Sequence, residues 1–465
     1  MFSSVLIANR GEIACRVIRA CRALGLRSVA IYSEADIGAL HTTLADESLP
    51  VGPAPAAQSY LRIDRVIEAA LEAKVGAVHP GYGFLSESAE FARRVSAAGL
   101  VWIGPRPETI EAMGDKQRAR DIAAQCGVPV LPGSAKLGAD DGQAWLAAAA
   151  QVGYPLLVKA ANGGGGIGMR RVDRPEDLAA TVASAQALAL KAFGQSEVYL
   201  ERFIERARHI EIQVFGFGDG QAVHLFEREC SVQRRFQKVV EESPAPGVPP
   251  EVVARMAEAA VALARSQHYS GAGTVEFVLD ALSHEFFFLE MNTRIQVEHA
   301  VTEMVTGWDL VQAQIRFAAG EFSGARQQDI VRRGAAIEVR VYAENPSRQF
   351  MPAPGRLSEC SFPTPGPTLR VDCGVRSGDA ITPYYDPMVA KLIAHGEQRD
   401  YAVATLDSAL RQSRLQGIHH NLGFLRAVLQ HPDFRDGRLD TGFVDRERVR
   451  LVAEAALLSN AAVSA

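Results

Sequence analysis

Cysteine is scarce and scattered in this chain of 465 residues. None of the six cysteines stands in a CxxC pair, so neither a zinc site nor a disulfide framework is indicated, and we expect reduced thiols. Long apolar runs are missing as well. No run approaches the roughly 20 residues that a membrane-spanning helix needs, and the first residues form no basic and apolar leader. We therefore expect a soluble protein of the cytoplasm.

Net charge is also small. Its formal value of −5 implies no general attraction to nucleic acid or to anionic membranes. The turn after the first apolar strand, at residues 9–12, is not GxGxxG, and no GK[ST] closes the later glycine-rich stretch. Neither a dinucleotide fingerprint nor a Walker A loop is therefore predicted. At this length we expect two to four domains.

Residues 1 to about 114 alternate between short apolar strands and amphipathic helices. The predicted elements are strands at 4–8, 28–32, 77–79 and 101–103, with a helix at 12–24. This alternation predicts an α/β domain with a doubly wound parallel sheet. Residues 79–84 follow a strand end, where such sheets bind ligands. A plain structural turn is the alternative.

A glycine-rich stretch lies in the next region, from about residue 115 to 203. Residues 154–160 form a predicted strand that carries Lys159, and glycines at 163–166 and 168 follow it. Backbone N–H groups without side chains can surround phosphate oxygens. A flexible linker is the alternative, but the lysine before the loop favours a nucleotide. Residues 201–204 are able to line a purine pocket.

Two segments rich in Val and Phe, 274–280 and 286–291, predict a hairpin with its connection at 281–285. In that register Glu276 lies opposite Glu290, with Cβ atoms roughly 4.5 to 5.5 Å apart. Two carboxylates that close repel each other unless a cation lies between them. Such oxygen ligands, with Asn292 as another, suit Mg²⁺ or Mn²⁺. The alternative is a solvated strand face with ordinary charges.

Alternation with a period of two continues after the hairpin. It predicts a strand face with Arg294, Gln296 and Glu298, while Ile295 and Val297 turn into the core. A cation, an amide and a carboxylate would then follow the metal site.

An earlier predicted strand, 209–214, places His209, Glu211 and Gln213 on one face. Basic residues dense enough to bind anions follow it, namely Arg228, Arg234, Arg235 and Lys238. The alternative is a solvated basic face that pairs with the interspersed glutamates.

Six motifs, in order, carry a resemblance to a known family. They are MGDK at 113–116, VKAANGGGGIGM at 158–169, HIEIQV at 209–214, QRRFQKVVEESP at 233–244, FLEMNTRIQVEH at 288–299 and YYDPMVAKLI at 384–393. The chain resembles biotin carboxylase, an ATP-grasp ligase, as the subunit or domain of an acyl-CoA carboxylase. The match covers residues 1 to about 445.

The resemblance implies the fold and the order of the domains. The chain would be α/β, and α+β overall. It would contain a doubly wound N-terminal domain at 1–114, an ATP-grasp domain at 115–330 with a mobile glycine-rich lid at about 131–203, a mixed C-terminal domain at 335–445 and a helical or frayed tail at 446–465.

The resemblance also implies roles for single residues. ATP would be bound by Lys116, Lys159, Gly164, Gly165, Gly166, Met169, Glu201, Ile204, His209 and Gln233. Magnesium or manganese would be bound by Glu276, Glu290 and Asn292. Bicarbonate and biotin would meet Lys238, Arg294, Gln296, the backbone of Val297, and Arg340. In the catalytic set of Lys238, Arg294, Glu298 and Arg340, Glu298 would be the general base and Arg340 would stabilise the biotin enolate.

The implied activity is the ATP-dependent carboxylation of carrier-bound biotin by bicarbonate, through carboxyphosphate. No Met-Lys-Met occurs, so we expect the biotin carrier and the carboxyltransferase on other subunits or on another part of the parent polypeptide. We also expect a homodimer or a larger complex, and neither nucleic acid nor membrane as a partner. Two alternatives stay open, another ATP-grasp carboxylate–amine ligase and a non-catalytic nucleotide-binding regulatory subunit. The final acyl-CoA acceptor is open too.

Three positions depart from the family's pattern. Ile167 stands in the glycine loop where Arg or Lys is common, Phe236 where many members have His, and His420 where Thr is usual. For the first two we expect modest effects on ATP affinity and retained activity. For His420 we have no physical account.

Overall fold

The computed structural model describes residues 2–138, 142–160, 169–193, 196–322 and 324–460. The predicted phosphate loop, with Gly164, Gly165, Gly166 and Ile167, lies outside these residues. The chain divides into two compact units. The first contains residues 1–128, 208–277 and 289–465, and the second contains 129–207 and 278–288.

A parallel sheet with its helices forms the N-terminal part of the first unit. Its strands, in the order β3-β2-β1-β4-β5, are β1 (Ser4–Ile7), β2 (Arg27–Ser33), β3 (Glu47–Gly52), β4 (Ala77–His79) and β5 (Val101–Trp102). Its helices are α1 (Gly11–Ala23), α2 (Leu40–Leu44), α3 (Ile63–Glu72), α4 (Ala89–Ala97), α5 (Pro107–Gly114) and α6 (Lys116–Gln125). The strand order reverses at β1, so the predicted doubly wound sheet is confirmed.

The side chains of β1 explain why helices cover both faces of this sheet. Val5 and Ile7 are buried in one core with Val17 of α1, and Leu6 is buried in another with Val66 of α3. A strand buried on both faces is a continuous apolar run. The edge strand β3 was not predicted, because Pro50 and the polar residues around it are rare in strands.

The second unit contains α7 (Gly142–Val152), β6 (Leu156–Ala160), β7 (Arg170–Val172), α8 (Leu178–Phe193) and β8 (Val198–Arg202). Its strands pair antiparallel in the order β7-β6-β8. Val158 of β6 and Val182 of α8 are fully buried in one core. The strand predicted around Lys159 is therefore confirmed.

A long sheet forms the middle of the first unit, in the order β13-β12-β9-β10-β11-β14-β21-β19. The elements from here onward are β9 (Ala207–Phe217), β10 (Ala222–Arg234), β11 (Gln237–Ser243), α9 (Pro250–Ser266), β12 (Ser270–Asp280), β13 (Phe286–Asn292), α10 (His299–Thr306), α11 (Leu310–Ala318), β14 (Ala335–Tyr342), β15 (Glu344–Asn345), β16 (Met351–Pro352), β17 (Gly355–Arg356), β18 (Glu359–Ser361), β19 (Leu369–Cys373), β20 (Ala380–Ile381), β21 (Met388–Gly396), α12 (Arg399–Gln412), β22 (Arg414–Gln416), α13 (Leu422–Gln430), α14 (Pro432–Arg435) and α15 (Phe443–Asn460). Val339 of β14, Leu392 of β21 and Leu406 of α12 lie in one fully buried core that anchors the C-terminal helices.

The predicted hairpin is present, because β12 ends at Asp280 and β13 begins at Phe286. Its predicted register, with Glu276 opposite Glu290, stays a prediction. Within the described residues no helix combines the length and apolar character that crossing a membrane requires.

The predicted strand at 294–298 is wrong. These residues are irregular chain between β13 and α10, and Val297 is only half-buried rather than in the core. Ile295 is buried, as predicted. A short alternation of polar and apolar residues does not distinguish a strand from an extended loop, and here the chain must turn before α10 begins at His299.

Candidate functional site

Lys238 on β11 lies at the centre of a buried cluster of charges in the first unit. Its Nζ donates to Glu211 Oε2 at 2.5 Å, to Glu276 Oε1 at 2.8 Å and to Glu298 Oε1 at 2.6 Å. Burial acts to lower the pKa of Lys238, but the three carboxylates outweigh it and raise that pKa well above its usual value. The lysine is therefore a permanent cation shared by three acids.

Both carboxylate oxygens of Glu276, on β12, have polar neighbours. Its Oε1 also accepts from Asn292 Nδ2 at 2.8 Å and from Gln296 Nε2 at 2.6 Å. Its Oε2 lies 2.8 Å from His209 Nε2, without the alignment of a hydrogen bond. Burial works against ionisation, yet Lys238 and then His209 hold the pKa of Glu276 well below its usual range.

Glu290 on β13 lies in the electric field of Glu276. Burial raises the pKa of Glu290, the negative charge of Glu276 raises it further, and Lys116 opposes both effects. A buried carboxylate and a half-buried one with this mutual repulsion are a suitable pair of ligands for a divalent cation, and oxygen donors of this kind suit Mg²⁺. The residues predicted to bind metal therefore fit such an ion.

Asn292 already uses both ends of its amide. Its Nδ2 donates to Glu276, and its Oδ1 accepts from Arg294 Nη2 at 2.9 Å. A different group, His209, Glu211 and Glu276, has ligand atoms that lie within 4.8 Å of one another. There, however, Glu211 is fully buried and already paired with Arg228 and Lys238.

Glu298 lies at the N-terminal end of α10 and faces two cations. Arg340 Nη2 lies 3.1 Å from its Oε2, opposite the contact with Lys238. Burial opposes ionisation, but Lys238 and Arg340 hold the pKa of Glu298 far below its usual range. Arg340 on β14 also donates to Glu241 Oε1 at 2.6 Å from Nε. Burial raises the pKa of Glu241 to about 7 against the attraction of Arg340.

Arg228 on β10 was predicted only as one of several basic residues, and the structure gives it a different place. Its side chain is fully buried. The guanidinium donates to five side-chain oxygens, those of Glu211 (2.6 Å), Gln213 (2.7 Å), Thr302 (2.9 Å), Thr274 (3.2 Å) and Gln296 (2.7 Å). Arg228 thus fixes Glu211 and Gln296 behind Lys238. Its pairing with Glu211 across β9 and β10 is a signal that a known strand register would have revealed.

The remaining predicted residues of the first unit lie as follows. Arg294 donates from Nε to Glu87 Oε2 at 2.9 Å. Gln233 Nε2 lies 2.7 Å from His209 Nδ1. Lys116 begins α6 and acts on Glu290 through its charge.

A cavity of about 490 Å³ opens in the first unit, beside this cluster. Predicted residues among its lining are Arg294, Val297 and Arg340. Tyr82, Gly83 and Phe84 also line it, so the predicted turn after β4 does end in a pocket. Residues 384–386 and Met388, from the last of the six motifs, line it too, as do residues 9–13 at the start of α1.

Lys159 and Glu201 meet in the second unit. Lys159 Nζ donates to Glu201 Oε2, because β6 and β8 pair antiparallel with Leu157 opposite Glu201. Ile204 packs with Leu131 in a small apolar cluster. Met169 is half-buried at the first described position after the predicted phosphate loop.

Buried acids and cations with shifted pKa values beside a cavity are typical of an enzyme active site. Three family models match the chain. They are described as biotin carboxylase, N-terminal domain (residues 1–110), carbamoyl-phosphate synthase L chain, ATP binding domain (115–323) and biotin carboxylase C-terminal domain (338–446).

Individual proteins give the same result. The chain is 48% identical to a biotin carboxylase of Allochromatium vinosum over 96% of this chain and 98% of that one. It is 47% identical to the mitochondrial methylcrotonoyl-CoA carboxylase subunit alpha of Dictyostelium discoideum over 98% of this chain, and it spans 65% of that subunit's length.

A solved structure agrees in fold. The biotin carboxylase domain dimer of the Hydrogenobacter thermophilus 2-oxoglutarate carboxylase, in complex with MgADP, ADP and bicarbonate, has a TM-score of 0.88 and 42% identity, covering 97% of this chain and 99% of that one. The chain belongs to the biotin carboxylase family, as the sequence predicted.

Proposed function

We propose that this chain uses ATP to activate bicarbonate and transfers the carboxyl group to biotin on a carrier protein, the first half-reaction of a biotin-dependent acyl-CoA carboxylase. The observation that carries the proposal is the position of Glu298, ionised between Lys238 and Arg340 beside the cavity. A carboxylate held between two cations next to a cavity can accept a proton from an anion bound there.

The nucleotide contacts are taken from the family resemblance, residue by residue. In this proposal Lys159 and Lys116 neutralise phosphate charge, Glu201 and Ile204 flank the adenine, and Met169, His209, Gln233, Gly164, Gly165 and Gly166 also contact the nucleotide. The contact between Lys159 and Glu201 supports this assignment, because ATP would replace the lysine's carboxylate partner with phosphate oxygens.

Glu276, Glu290 and Asn292 would hold Mg²⁺, or Mn²⁺ in its place. The ion would supply positive charge to the phosphoryl oxygens. Burial and the charge of Glu276 raise the pKa of Glu290. A cation between the two carboxylates would remove their repulsion.

Bicarbonate would bind against Lys238 and Arg294, with Gln296 and the backbone of Val297. Glu298 removes its proton, and the freed oxygen attacks the γ-phosphoryl group to give carboxyphosphate and ADP. In the free protein Glu298 is a weak base, because Lys238 and Arg340 lower its pKa. A bound anion shares the charge of these cations, so the pKa of Glu298 rises towards the value that proton transfer needs.

Arg340 would act in the second step. Carboxyphosphate yields CO₂ and phosphate, the phosphate takes the N1 proton of biotin, and the ureido oxygen becomes negatively charged. The guanidinium of Arg340 keeps its charge near neutral pH and lines the cavity. It can therefore stabilise this oxyanion, as fixed donors do in other active sites.

The partners in this proposal are a biotin carrier and a carboxyltransferase. A homodimer is the simplest assembly, because the similar domain of Hydrogenobacter thermophilus is described as a dimer. The location would be the cytoplasm. The acyl-CoA that finally receives the carboxyl group meets a different active site.

The test is ATP hydrolysis with Mg²⁺ and bicarbonate, with and without free biotin, for the native chain and Glu298→Gln. We expect turnover that depends on bicarbonate, stimulation by biotin, and a loss of about 10²-fold or more in the variant. Glu68→Gln, on the exposed side of α3, is the matched control and should keep native turnover. Nucleotide binding without turnover would favour a regulatory subunit, and turnover indifferent to biotin would favour another ligase.

A further inference from the structure

A second buried lysine lies outside the set derived so far. Lys391 on β21 is fully buried. Its Nζ donates to the backbone carbonyl of Val297 and lies 3.7 Å from Glu12 Oε1 and 3.6 Å from Glu338 Oε2. These partners come from α1, from the loop before α10 and from β14, so one ammonium group joins three separate segments.

The charges around Lys391 keep it ionised. Burial acts to lower its pKa, but Glu12, then Glu338 and Asp372, outweigh burial and raise it. Burial raises the pKa of both acids against the attraction of Lys391, that of Glu12 above its usual value and that of Glu338 well above it. Of the three acids, Glu12 raises the pKa of Lys391 most.

Glu12 carries the contact onward to the cavity. Tyr82 Oη donates to Glu12 Oε2 at 2.5 Å, on the carboxylate oxygen that does not face the lysine. Val297, Glu12 and Tyr82 all line the cavity, and Lys391 lies behind them. Both contacts of the lysine thus end at the wall where bicarbonate and biotin are proposed to bind.

We propose that Lys391 is a positioning residue of the carboxylation site, which fixes the backbone of Val297 next to Glu298 and, through Glu12, the hydroxyl group of Tyr82. The inference rests on the proposed function. It assigns Lys391 no contact with substrate, and it explains why a lysine lies where an apolar residue of similar size would satisfy packing alone.

The geometry separates this role from simple charge burial. The Glu12 and Glu338 oxygens near Lys391 accept no hydrogen bond among the described residues, so their attraction to the lysine is one of charge at 3.6 to 3.7 Å. The directed bond goes to Val297. Without the ammonium group, the Val297 carbonyl loses its donor and Glu12 loses its counter-charge. Val297 and Tyr82, which both line the cavity, are then no longer held in place.

The test compares Lys391→Met with the native chain in bicarbonate-dependent and biotin-stimulated ATP hydrolysis. We expect the KM for bicarbonate and the KM for free biotin each to rise about tenfold or more. The Kd for ADP, measured separately, should change less than threefold. Glu338→Gln is the matched control, because it alters the other neighbour of Lys391 and leaves the bond to Val297; both KM values should stay within threefold of native.

Glu12→Gln gives an independent test if Lys391→Met does not fold. It keeps the volume of the side chain and removes the charge that faces Lys391, so the KM for bicarbonate or for biotin should rise about threefold or more while the Kd for ADP stays within threefold of native. Native values of both KM constants would overturn the inference.

Unchanged KM values in a folded Lys391→Met would also overturn it, as would a parallel rise in the Kd for ADP, which a general loosening of the fold produces. A native chain without bicarbonate-dependent turnover would instead overturn the proposed function, and this inference with it.

Discussion

Lys238 and Lys391 are buried in the same sheet, but their ammonium groups have different surroundings. Lys238 donates to three carboxylates at 2.5 to 2.8 Å, and 11% of its side chain is exposed. Lys391 is fully buried, and its carboxylates lie no closer than 3.6 Å. Its directed bond goes to a backbone carbonyl. The carboxylates around Lys238 are side chains that can take other hydrogen-bond partners. The carbonyl that accepts from Lys391 belongs to the main chain and cannot move away.

The comparison shows that burial alone does not tell a reacting lysine from a supporting one. Both have a raised pKa, because neighbouring acids overcome the cost of burial in each case. The difference lies in the partners. A lysine that pairs with carboxylates beside a cavity can exchange one of them for a bound anion, whereas a lysine bonded to a main-chain carbonyl only holds the chain in place.

The largest effect is expected from the replacement of Lys238. In Lys238→Met, the carboxylates Glu211, Glu276 and Glu298 lose their shared cation, and the proposed bicarbonate loses its main donor. We expect kcat to fall about 10³-fold, or roughly 4 kcal/mol of barrier, with bicarbonate-dependent ATP turnover as the measurement. Lys391→Met, by contrast, should act chiefly on KM. A loss of less than tenfold in a folded Lys238→Met would contradict the assigned role.

Arg228 sharpens the comparison, because it shares the partner Glu211 with Lys238 but is not among the residues that line the cavity. Arg228→Met leaves Glu211 with one fewer cation and removes five hydrogen bonds. Breaking such a buried pair costs about 3–5 kcal/mol, which urea unfolding would measure as a lower midpoint.

The control for Arg228 is Arg62→Met, in an exposed pair with Asp64. Its effect should stay within about 0.5 kcal/mol. Equal destabilisation by the two variants would mean that the buried network adds nothing specific.

The replacement of Glu303 tests whether a buried charge away from the proposed ligands contributes to stability and not to activity. Its carboxylate lies 2.9 Å from Arg16 Nη2 and 2.5 Å from Arg370 Nη1. Burial opposes ionisation, but the two arginines lower its pKa from 4.5 to about 2. A carboxyl with a lowered pKa stabilises the fold above its ordinary pKa, and this stabilisation is lost as the pH falls through the folded value.

We therefore expect the unfolding free energy of the native chain to fall more steeply than that of Glu303→Gln between pH 4.5 and about 2. The difference should approach ~1.4 kcal/mol per pH unit, the value for one proton. Denaturant titrations at several pH values provide the measurement. Parallel curves for the two proteins would show that Glu303 does not titrate in this range.

The smallest expected effect concerns Phe236, at the turn between β10 and β11. Its side chain is 69% exposed, and its φ of 64° lies in the left-handed region, which His tolerates better than Phe does. Phe236→His should change the KM for ATP by about threefold or less and leave kcat close to native. A tenfold gain in kcat, or ~1.4 kcal/mol of barrier, would show that the native turn limits turnover.

Local patterns predicted the parts of the fold that depend on near neighbours. The connection of the hairpin at 281–285 was predicted because Val and Phe stop where polar turn residues begin, whereas the start of β12 at Ser270 was placed four residues too late. The strand β1 was predicted because a central parallel strand is apolar on both faces. The edge strand β3 carries neither signal.

The site was predictable from three kinds of signal. Glu276 was predicted from the hairpin, Glu298 lies in the motif at 288–299, and Arg340 was implied by the resemblance; the structure brings all three into one network through Lys238. Arg228 and Lys391 were assigned no role of their own, although Lys391 lies in the motif at 384–393, because a buried cation looks like a solvated one until its partners from distant strands are known. Their roles depend on pairings such as that of Arg340 with Lys391 across β14 and β21.

The cavity bears on the number of ATP molecules that the proposed reaction consumes. Its volume of about 490 Å³ far exceeds the ~30 Å³ that one water molecule takes in the liquid. Carbon dioxide released there without biotin in place would hydrate back to bicarbonate, and the nucleotide would be spent in a futile cycle. In the proposed function, the closeness with which biotin and its carrier fill this space would set the number of ATP molecules consumed for each carboxyl group delivered.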